Sequence, residues 1–307
     1  MSSDLHRVQA YLMTAIKTDD IIQDILAEKC RKLEQVMDAE VLLLRSPMQM
    51  GIDGAVRREV EALAAEPDRK PHLVVVLETN GGSVEVVERL SDVFRHHFDT
   101  VAFVVPNFAY SAGTVLCLSG DDIYMDYYSV LGPIDPQILN RDGRWVPGMG
   151  YLGKYNSLIA KSAAGALTMA ELEFLFRKFD PAELFAIEQA QKHSTDLIEA
   201  WLCRYKFKDW THRETDGGEV DEAYKRARAA EIASLLGDAT EWNSHGRGIP
   251  LKMLESDKLK LKIKNFGEDP ELNEAVRDYY DLFIDYCARI GSGIAIHTKH
   301  RLVNLGG

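Results

Sequence analysis

Two glycine-bearing turns hold the residues of this sequence that are best suited to chemistry. The first reads Thr79-Asn80-Gly81-Gly82-Ser83 and the second reads Tyr110-Ser111-Ala112-Gly113-Thr114. Glycine lets backbone N–H groups approach a ligand closely, and a serine at a helix start stands beside unsatisfied N–H groups that stabilise an oxyanion. Each turn alone also has an ordinary interpretation, because Gly-Gly pairs reverse chains and serines cap helices. Together they indicate acyl transfer to a serine hydroxyl.

The elements around these turns form a strand–helix series. Buried strands are predicted at His72–Leu77, Val101–Pro106 and Asp122–Met125, with helices at Ser83–Phe98 and Tyr110–Gly120 between them. Such a βαβ series gives a parallel sheet flanked by helices. Because the carboxyl ends of parallel strands meet at one edge, the two turns are expected to be neighbours.

The chain is predicted to divide into three parts. Residues 1–40 form a helical N-terminal arm, with a polar break at Lys17–Asp20, residues 41–165 form the α/β core, and residues 166–307 form a mainly helical C-terminal region. Within the core, a strand at Val41–Leu44 and a helix at Ala55–Ala65 precede the series. The clear C-terminal helices are Leu167–Phe179, Pro181–Lys208, Val220–Leu236 and Pro270–Ile290, the last followed by a polar tail. Alternation of lysine with apolar residues over Lys258–Lys264 predicts a half-buried strand with a solvated face rather than a membrane or nucleic-acid patch.

Composition excludes several classes of function. The 307 residues carry 36 Lys plus Arg against 48 Asp plus Glu, a net charge of −12, which disfavours nucleic acid as the main ligand. No apolar run approaches the roughly 20 residues of a membrane span, and no signal-peptide core is seen, so a cytoplasmic protein is expected. The four cysteines are far apart, no G-x-G-x-x-G or Walker lysine is present, and no metal or cofactor is predicted.

The order and spacing of these motifs resemble a known group of enzymes. A strand ending in N-G-G-S, a helix, a second strand and then Y-S-A-G-T resembles the Clp-type serine peptidases and signal peptide peptidase A, which share a crotonase-like fold. Three further segments are similar to the serine dehydrogenase proteinase family, a branch with the Clp fold: Leu131–Gln137, Tyr151–Asn156 and Trp242–Arg247.

The resemblance implies a role for each matching residue. Ser111 would be the nucleophile, and the N–H groups of Gly82 and Ala112 would form the oxyanion hole. The Clp peptidases place a histidine after the third strand, where this chain has Leu131–Asp135 without one. Signal peptide peptidase A uses a lysine base, and Lys154 corresponds to it.

Lys154 is the predicted base, with Lys161 and His245 as alternatives. A lysine serves only if burial depresses its pKa, and Gly150, Tyr151, Leu152 and Tyr155 are expected to provide apolar surroundings for Lys154. Lys161 is the reserve lysine. His245 is the other candidate, on a loop where it could equally brace the chain. Asp135 could orient a base or form the turn before Pro136.

The predicted protein is therefore an α/β serine endopeptidase acting without metal or cofactor on a protein or peptide. The resemblance also implies a homo-oligomer and a partner ATPase or regulatory chain, since no ATPase motif is present. Two alternatives stay open: an acyl-CoA hydratase or hydrolase of the same superfamily, and a non-catalytic scaffold in which Ser111 only caps a helix.

Overall fold

A computed structural model describes residues 2–139, 143, 145–242 and 244–306. The α-helices are α1 (Ser2–Met37), α2 (Ile52–Ala64), α3 (Val84–His97), α4 (Ala112–Cys117), α5 (Gly148–Ala163), α6 (Met169–Lys178), α7 (Pro181–Trp201), α8 (Glu222–Leu236), α9 (Ala239–Trp242), α10 (Leu251–Leu254) and α11 (Pro270–Arg289). The strands are β1 (Glu40–Arg45), β2 (His72–Glu78), β3 (Thr100–Val104), β4 (Phe108–Ala109), β5 (Asp122–Met125), β6 (Val130–Leu131), β7 (Gln137–Leu139), β8 (Trp145–Pro147), β9 (Ile249–Pro250), β10 (Lys264–Asn265), β11 (Ile294–His297) and β12 (Leu302–Gly306).

The largest sheet in the described chain has seven strands in the order β10-β5-β3-β2-β1-β11-β12. The first five are parallel, whereas β11 runs antiparallel to β1 and β12 antiparallel to β11. The predicted α/β fold with a mostly parallel sheet and flanking helices is therefore confirmed.

The two faces of this sheet are covered by different helices. In β2, Leu73, Val75 and Leu77 pack into the core that contains α2 and α3, whereas Val74 and Val76 pack against α1 and α11. Because successive side chains of a strand point to opposite faces, a strand covered on both sides must be apolar throughout. This explains the unbroken run from Leu73 to Leu77.

Side chains at the helix starts fix several boundaries. Ser83 caps α3 by accepting from the N–H of Val86, and Asp180 caps α7 by accepting from the N–H of Ala182, directly before the proline at the first turn. This cap lies directly before Pro181, where the sequence predicts that the helix begins. After α7 the chain continues as a π-helix over Leu202–Lys206, so helical structure ends two residues before the predicted end at Lys208.

Four expectations about the elements need correction. Helix α1 is continuous through Lys17–Asp20, and α4 begins two residues later and ends three residues earlier than predicted. The apolar residues of Lys258–Lys264 are buried as expected, but only β10 pairs with a neighbour, so most of that segment is not a strand. The polar tail contains β11 and β12, which extend the central sheet.

A smaller sheet lies beside the end of β2. Its strands have the order β4-β6-β9, with Ala109 opposite Leu131 and Leu131 opposite Ile249. It joins the main sheet through a bridge between Thr79 and Ala109. This small sheet brings segments far apart in sequence to the edge where β2 ends.

Candidate active site

The two glycine-bearing turns are in direct contact, as predicted. The N–H of Thr79 donates to the carbonyl of Phe108 (3.2 Å), and the N–H of Tyr110 donates to the carbonyl of Thr79 (2.9 Å). These parallel-type bonds join the end of β2 to β4. The peptide units that follow each strand, Gly81-Gly82 and Ser111-Ala112, are consequently placed side by side.

Gly82 occupies a backbone conformation and a space that a side chain could not share. Its φ is +142°, and a Cβ would lie 2.3 Å from the carbonyl oxygen of Met48. Met48 holds the turn, since its N–H donates to the carbonyl of Gly81 (2.8 Å) and its carbonyl accepts from the N–H of Ser83 (2.7 Å). These two bonds leave the N–H of Gly82 itself uninvolved, at an exposed position.

Close packing explains two further glycines. A Cβ on Gly81 would lie 2.8 Å from the Cβ of Ser111, and a Cβ on Gly113 would lie 2.3 Å from the methyl group of Thr79. Both distances are too short for real atoms. The two turns can approach this closely only because neither glycine carries a side chain.

Ser111 stands at a strained corner between β4 and α4. Its φ is +52° with ψ −117°, a conformation that costs a non-glycine residue about 1–3 kcal/mol. The side chain is half-buried and makes no capping hydrogen bond to α4. The ordinary interpretation of Ser111 as a helix cap therefore finds no support. A strained strand-to-helix turn that presents a free hydroxyl is the geometry of a nucleophile elbow.

Ala112 is the first residue of α4, so its N–H has no partner within the helix. This donor and that of Gly82 belong to the two contacting turns. Donors held in place before a reaction stabilise negative charge as it develops on a substrate oxygen. The arrangement can therefore serve as a two-amide oxyanion hole beside the Ser111 hydroxyl.

A histidine and an aspartate that are 110 residues apart in sequence form a pair near this edge. The Nδ1 atom of His245 lies 2.8 Å from Oδ1 of Asp135, whose side chain is only 1% exposed, while the histidine is 23% exposed. The other carboxylate oxygen of Asp135 accepts from Nε2 of Gln137 at 2.7 Å. A carboxylate that receives Nδ1–H leaves Nε2 as the basic nitrogen.

The small sheet explains why this pair and the serine share one edge. Ser111 follows Ala109 by two residues, and Asp135 follows Leu131 by four, in parallel strands. His245 precedes Ile249 by four residues. Because β9 is antiparallel to β6, the residues before β9 lie at the same end of the small sheet as the residues after β6. Adjacent strands are about 4.8 Å apart. Gly132, directly after β6, contacts Ser111, since a Cβ on Gly132 would lie 3.2 Å from the N atom of Ser111.

The predicted lysines have different surroundings. Lys154 lies on α5 with an exposed side chain, so the apolar enclosure predicted for it is not found. Tyr151 and Tyr155 pack against the ring of Phe179 instead. Lys161 forms an exposed ion pair with Glu171, with 2.6 Å between Nζ and Oε1.

Sequence reasoning missed the hydrogen bonds that organise this edge. Thr114 has its Oγ1 2.8 Å from the carbonyl oxygen of Ala109 and accepts from the N–H of Gly132 at 2.9 Å. Gln137 and the pairing of Asp135 with His245 were also not predicted. Asn243, in the motif that contains His245, lies outside the described residues.

Two kinds of feature are missing from the described residues. They contain no group of three or more His, Cys, Asp or Glu side chains that could hold a metal ion. Among the described helices, none is both long and apolar enough to cross a membrane.

The first of the two turns and the serine lie in a segment that matches a known protein family. Residues 40–146 match the family described as ClpP-like SDH-type serine proteinase. The resemblance noted in the sequence is thus confirmed over the segment that carries Gly82, Ser111, Ala112 and Asp135. Lys154 and His245 lie beyond the matched residues.

Curated relatives and solved structures are also similar to parts of this chain. The uncharacterized proteins MJ0137 and MJ1495 of Methanocaldococcus jannaschii are 35% and 30% identical over 79 residues, 26% of this chain. The chain covers 27% of the length of each of them. A ClpP1 mutant from Listeria monocytogenes is 15% identical over 32% of this chain and 57% of its own, with a TM-score of 0.27. A mutant of the 1510-N membrane-bound stomatin-specific protease, solved with a substrate peptide, is 19% identical over 41% of this chain and 61% of its own, with a TM-score of 0.31.

Proposed function

We propose that this protein is a serine endopeptidase that cleaves through an acyl-enzyme on Ser111. The observation that carries the proposal is the strained, uncapped Ser111 held against the Gly81-Gly82 turn. A helix cap would need neither the positive φ nor the contact. The match to a serine proteinase family over residues 40–146 supports the same chemistry.

In the proposed reaction the Ser111 Oγ atom attacks the scissile carbonyl carbon while a base takes the hydroxyl proton. The N–H groups of Gly82 and Ala112 donate hydrogen bonds to the oxyanion of the tetrahedral intermediate. The C–N bond then breaks as the proton passes to the leaving amine. Water, deprotonated by the same base, attacks the ester, and the acid product and free Ser111 are released.

The geometry favours His245 as this base, with Asp135 as the residue that orients it. The imidazole is partly exposed at the correct edge, and its Nδ1 is held by a buried carboxylate that Gln137 also holds. This pairing would direct Nε2 toward a hydroxyl proton. Lys154 stays the alternative base, but it is exposed and would require desolvation before it could act.

The proposal is tested by labelling the full chain with a fluorophosphonate probe and mapping the modified residue by mass spectrometry. Modification confined to Ser111, and absent in Ser111→Ala, is the expected result. Labelled casein gives a parallel measurement of peptide-bond cleavage. Equal modification of wild type and Ser111→Ala, or equal cleavage of casein by both, would exclude Ser111 as the nucleophile. The predicted homo-oligomer and partner ATPase stay predictions.

A further inference from the structure

Glu78, the last residue of β2, is a buried carboxylate where three other elements meet. Its side chain points to the face covered by α1 and α11, as do Val74 and Val76. Oε1 accepts from Nε of Arg45 at the end of β1 (3.0 Å). Oε2 accepts from Nδ2 of Asn107 (3.1 Å) and from the hydroxyl of Tyr280 on α11.

This convergence offsets the free-energy cost of burying a charge. An ionised carboxylate in a protein interior requires an opposite charge and hydrogen bonds to both oxygens. Arg45 supplies the charge, and Asn107 and Tyr280 supply the other donors. Burial and the neighbouring Glu78 carboxylate raise the pKa of Tyr280, which keeps its hydroxyl protonated as a donor. Removing one donor leaves the carboxylate incompletely satisfied.

Glu78 and Asn107 stand at equivalent positions before the two catalytic turns. Gly82 follows Glu78 by four residues, and Ser111 follows Asn107 by four. In the residues directly after Glu78 and Asn107, the backbone of Thr79 forms hydrogen bonds with the backbones of Phe108 and Tyr110. The carbonyl of Asn107 also accepts from the N–H of Val130 in the small sheet (2.9 Å). The side-chain contact between Glu78 and Asn107 therefore links the two segments that lead to Gly82 and to Ser111.

Helix α11 also contacts residues that follow two neighbouring strands of the sheet. Besides Tyr280, its Arg277 donates to the carbonyl of Pro106 (2.7 Å) and pairs with the buried Asp126. Pro106 follows β3 and Asp126 follows β5. One helix face therefore contacts the residues at the carboxyl ends of three neighbouring strands.

We propose that Glu78, held by Asn107 and Tyr280, is a positioning residue that sets the spacing between the oxyanion turn and Ser111. This role rests on the proposed function, because it matters for rate only if those two turns act together. Small displacements of reacting groups lower rates strongly, and a shift of about 1 Å can cost roughly 100-fold. Loss of a single donor to Glu78 should therefore lower turnover without greatly changing substrate binding.

The test uses Tyr280→Phe and Glu78→Gln in the full chain, with Tyr279→Phe as a matched control. Tyr279 is the adjacent buried tyrosine of α11, and its hydroxyl contacts Nδ1 of His297 (2.6 Å), not the catalytic turns. Both Tyr→Phe changes remove one buried hydroxyl from the same helix. A purely structural role predicts similar losses of melting temperature and equal turnover per folded molecule.

The rates measured are casein cleavage per active site titrated with fluorophosphonate, and the rate of fluorophosphonate labelling. Tyr280→Phe and Glu78→Gln are expected to lower kcat by about 10- to 100-fold with little change in KM, whereas Tyr279→Phe keeps the wild-type kcat. Wild-type kcat in Tyr280→Phe and Glu78→Gln, or an equal fall in Tyr279→Phe, would overturn the proposal.

Hydrogen exchange gives a measurement that does not depend on activity. Peptides that contain residues 79–83 and 110–114 should exchange faster in Tyr280→Phe than in Tyr279→Phe if Glu78 holds the turns. Equal exchange in the two variants would overturn the positioning role. A wild-type protein that neither reacts with the probe nor cleaves casein would instead exclude the proposed peptidase, and the exchange result would still decide the role of Glu78.

Discussion

Ser83 and Ser111 both stand between a β-strand and a helix of the same fold, yet their hydroxyl groups have different uses. Ser83 has φ −77° and ψ 130°, accepts from the N–H of Val86, and donates to Glu85 at 2.5 Å. Ser111 has φ +52°, and its hydroxyl does not cap α4. The first serine stabilises its helix, whereas the second is held in a strained conformation with its hydroxyl available.

The difference distinguishes the proposed nucleophile from a helix cap. A serine before a helix is ordinarily a cap, with extended φ and ψ and a bond to the second or third N–H of the helix. Ser111 departs from both features where it packs against the Gly81 backbone, since a Cβ on Gly81 would lie 2.8 Å from the Cβ of Ser111. Local strain of this kind is typical of functional sites.

The largest expected effect separates the two serines by activity. Ser111→Ala should lower casein cleavage by about 10⁴-fold or more, since a serine nucleophile cannot be replaced by a methyl group. Ser83→Ala should retain most of the activity, because it removes only a cap. Steady-state cleavage assays on both purified, folded variants provide the measurement. Comparable losses in the two variants would remove the functional distinction.

The next largest effect is the loss of kcat expected when the base proposed to activate Ser111 is removed. His245→Ala should lower kcat by about 10²- to 10⁴-fold, the range for general-base catalysis. We expect a smaller loss in Lys154→Ala, because the Lys154 side chain is exposed. Steady-state casein cleavage by the two folded variants measures both losses. Full activity in His245→Ala together with loss of activity in Lys154→Ala would move the role to Lys154.

A smaller effect is expected at the oxyanion turn beside Ser83. Gly82→Val should lower kcat by about 10²- to 10³-fold, because a Cβ would collide with the Met48 carbonyl and displace the N–H donor. Gly54→Ala is the control, since a Cβ there meets only Arg58, at 4.0 Å. Fluorophosphonate labelling of Ser111 should slow in the first variant alone. Normal labelling in Gly82→Val would limit Gly82 to a structural role.

The smallest expected effect is on the free energy of unfolding, which substitutions at the two serines should change in opposite directions. Ser83→Ala should lower the free energy of unfolding by about 1 kcal/mol through loss of the cap. Ser111→Gly should raise it by about 1 kcal/mol, because glycine adopts a positive φ without strain. Urea unfolding of both variants measures these changes. Destabilisation by Ser111→Gly would argue against stored strain at this corner.

Local patterns were sufficient to predict the βαβ series and its two turns. The apolar run of β2 reflects burial on both faces, whereas buried and half-buried residues alternate at the start of β3 and throughout β5. Pro181 marks a helix start, because its fixed φ suits the first helical position. The neighbouring turns follow from the parallel arrangement. These inferences need only residues that are close together in the chain.

Features that depend on distant contacts could not be predicted in this way. His245 reaches Asp135 through β9, a strand of two residues with no hydrophobic periodicity of its own. The alternation over Lys258–Lys264 predicts correctly which side chains are buried. A strand also needs a hydrogen-bonded neighbour, and in this segment only Lys264 and the following Asn265 pair with a strand, β5. The exposure of Lys154 likewise depends on how α5 packs. The hydrogen bond between Glu78 and Tyr280 also joins residues that are far apart in the sequence, so the pattern around Glu78 does not predict it.

The antiparallel pairing of β1 with β11 affects the order of folding. One side of β1 pairs with β2 about 30 residues away, whereas the other side pairs with a strand about 250 residues away, as Leu43 opposite His297 shows. Contacts of such high sequence separation form slowly. During synthesis, β1 therefore has an unpaired edge until β11 has left the ribosome, and exposed edges invite aggregation. Chaperone dependence of the nascent chain is the expected consequence of this single strand pairing.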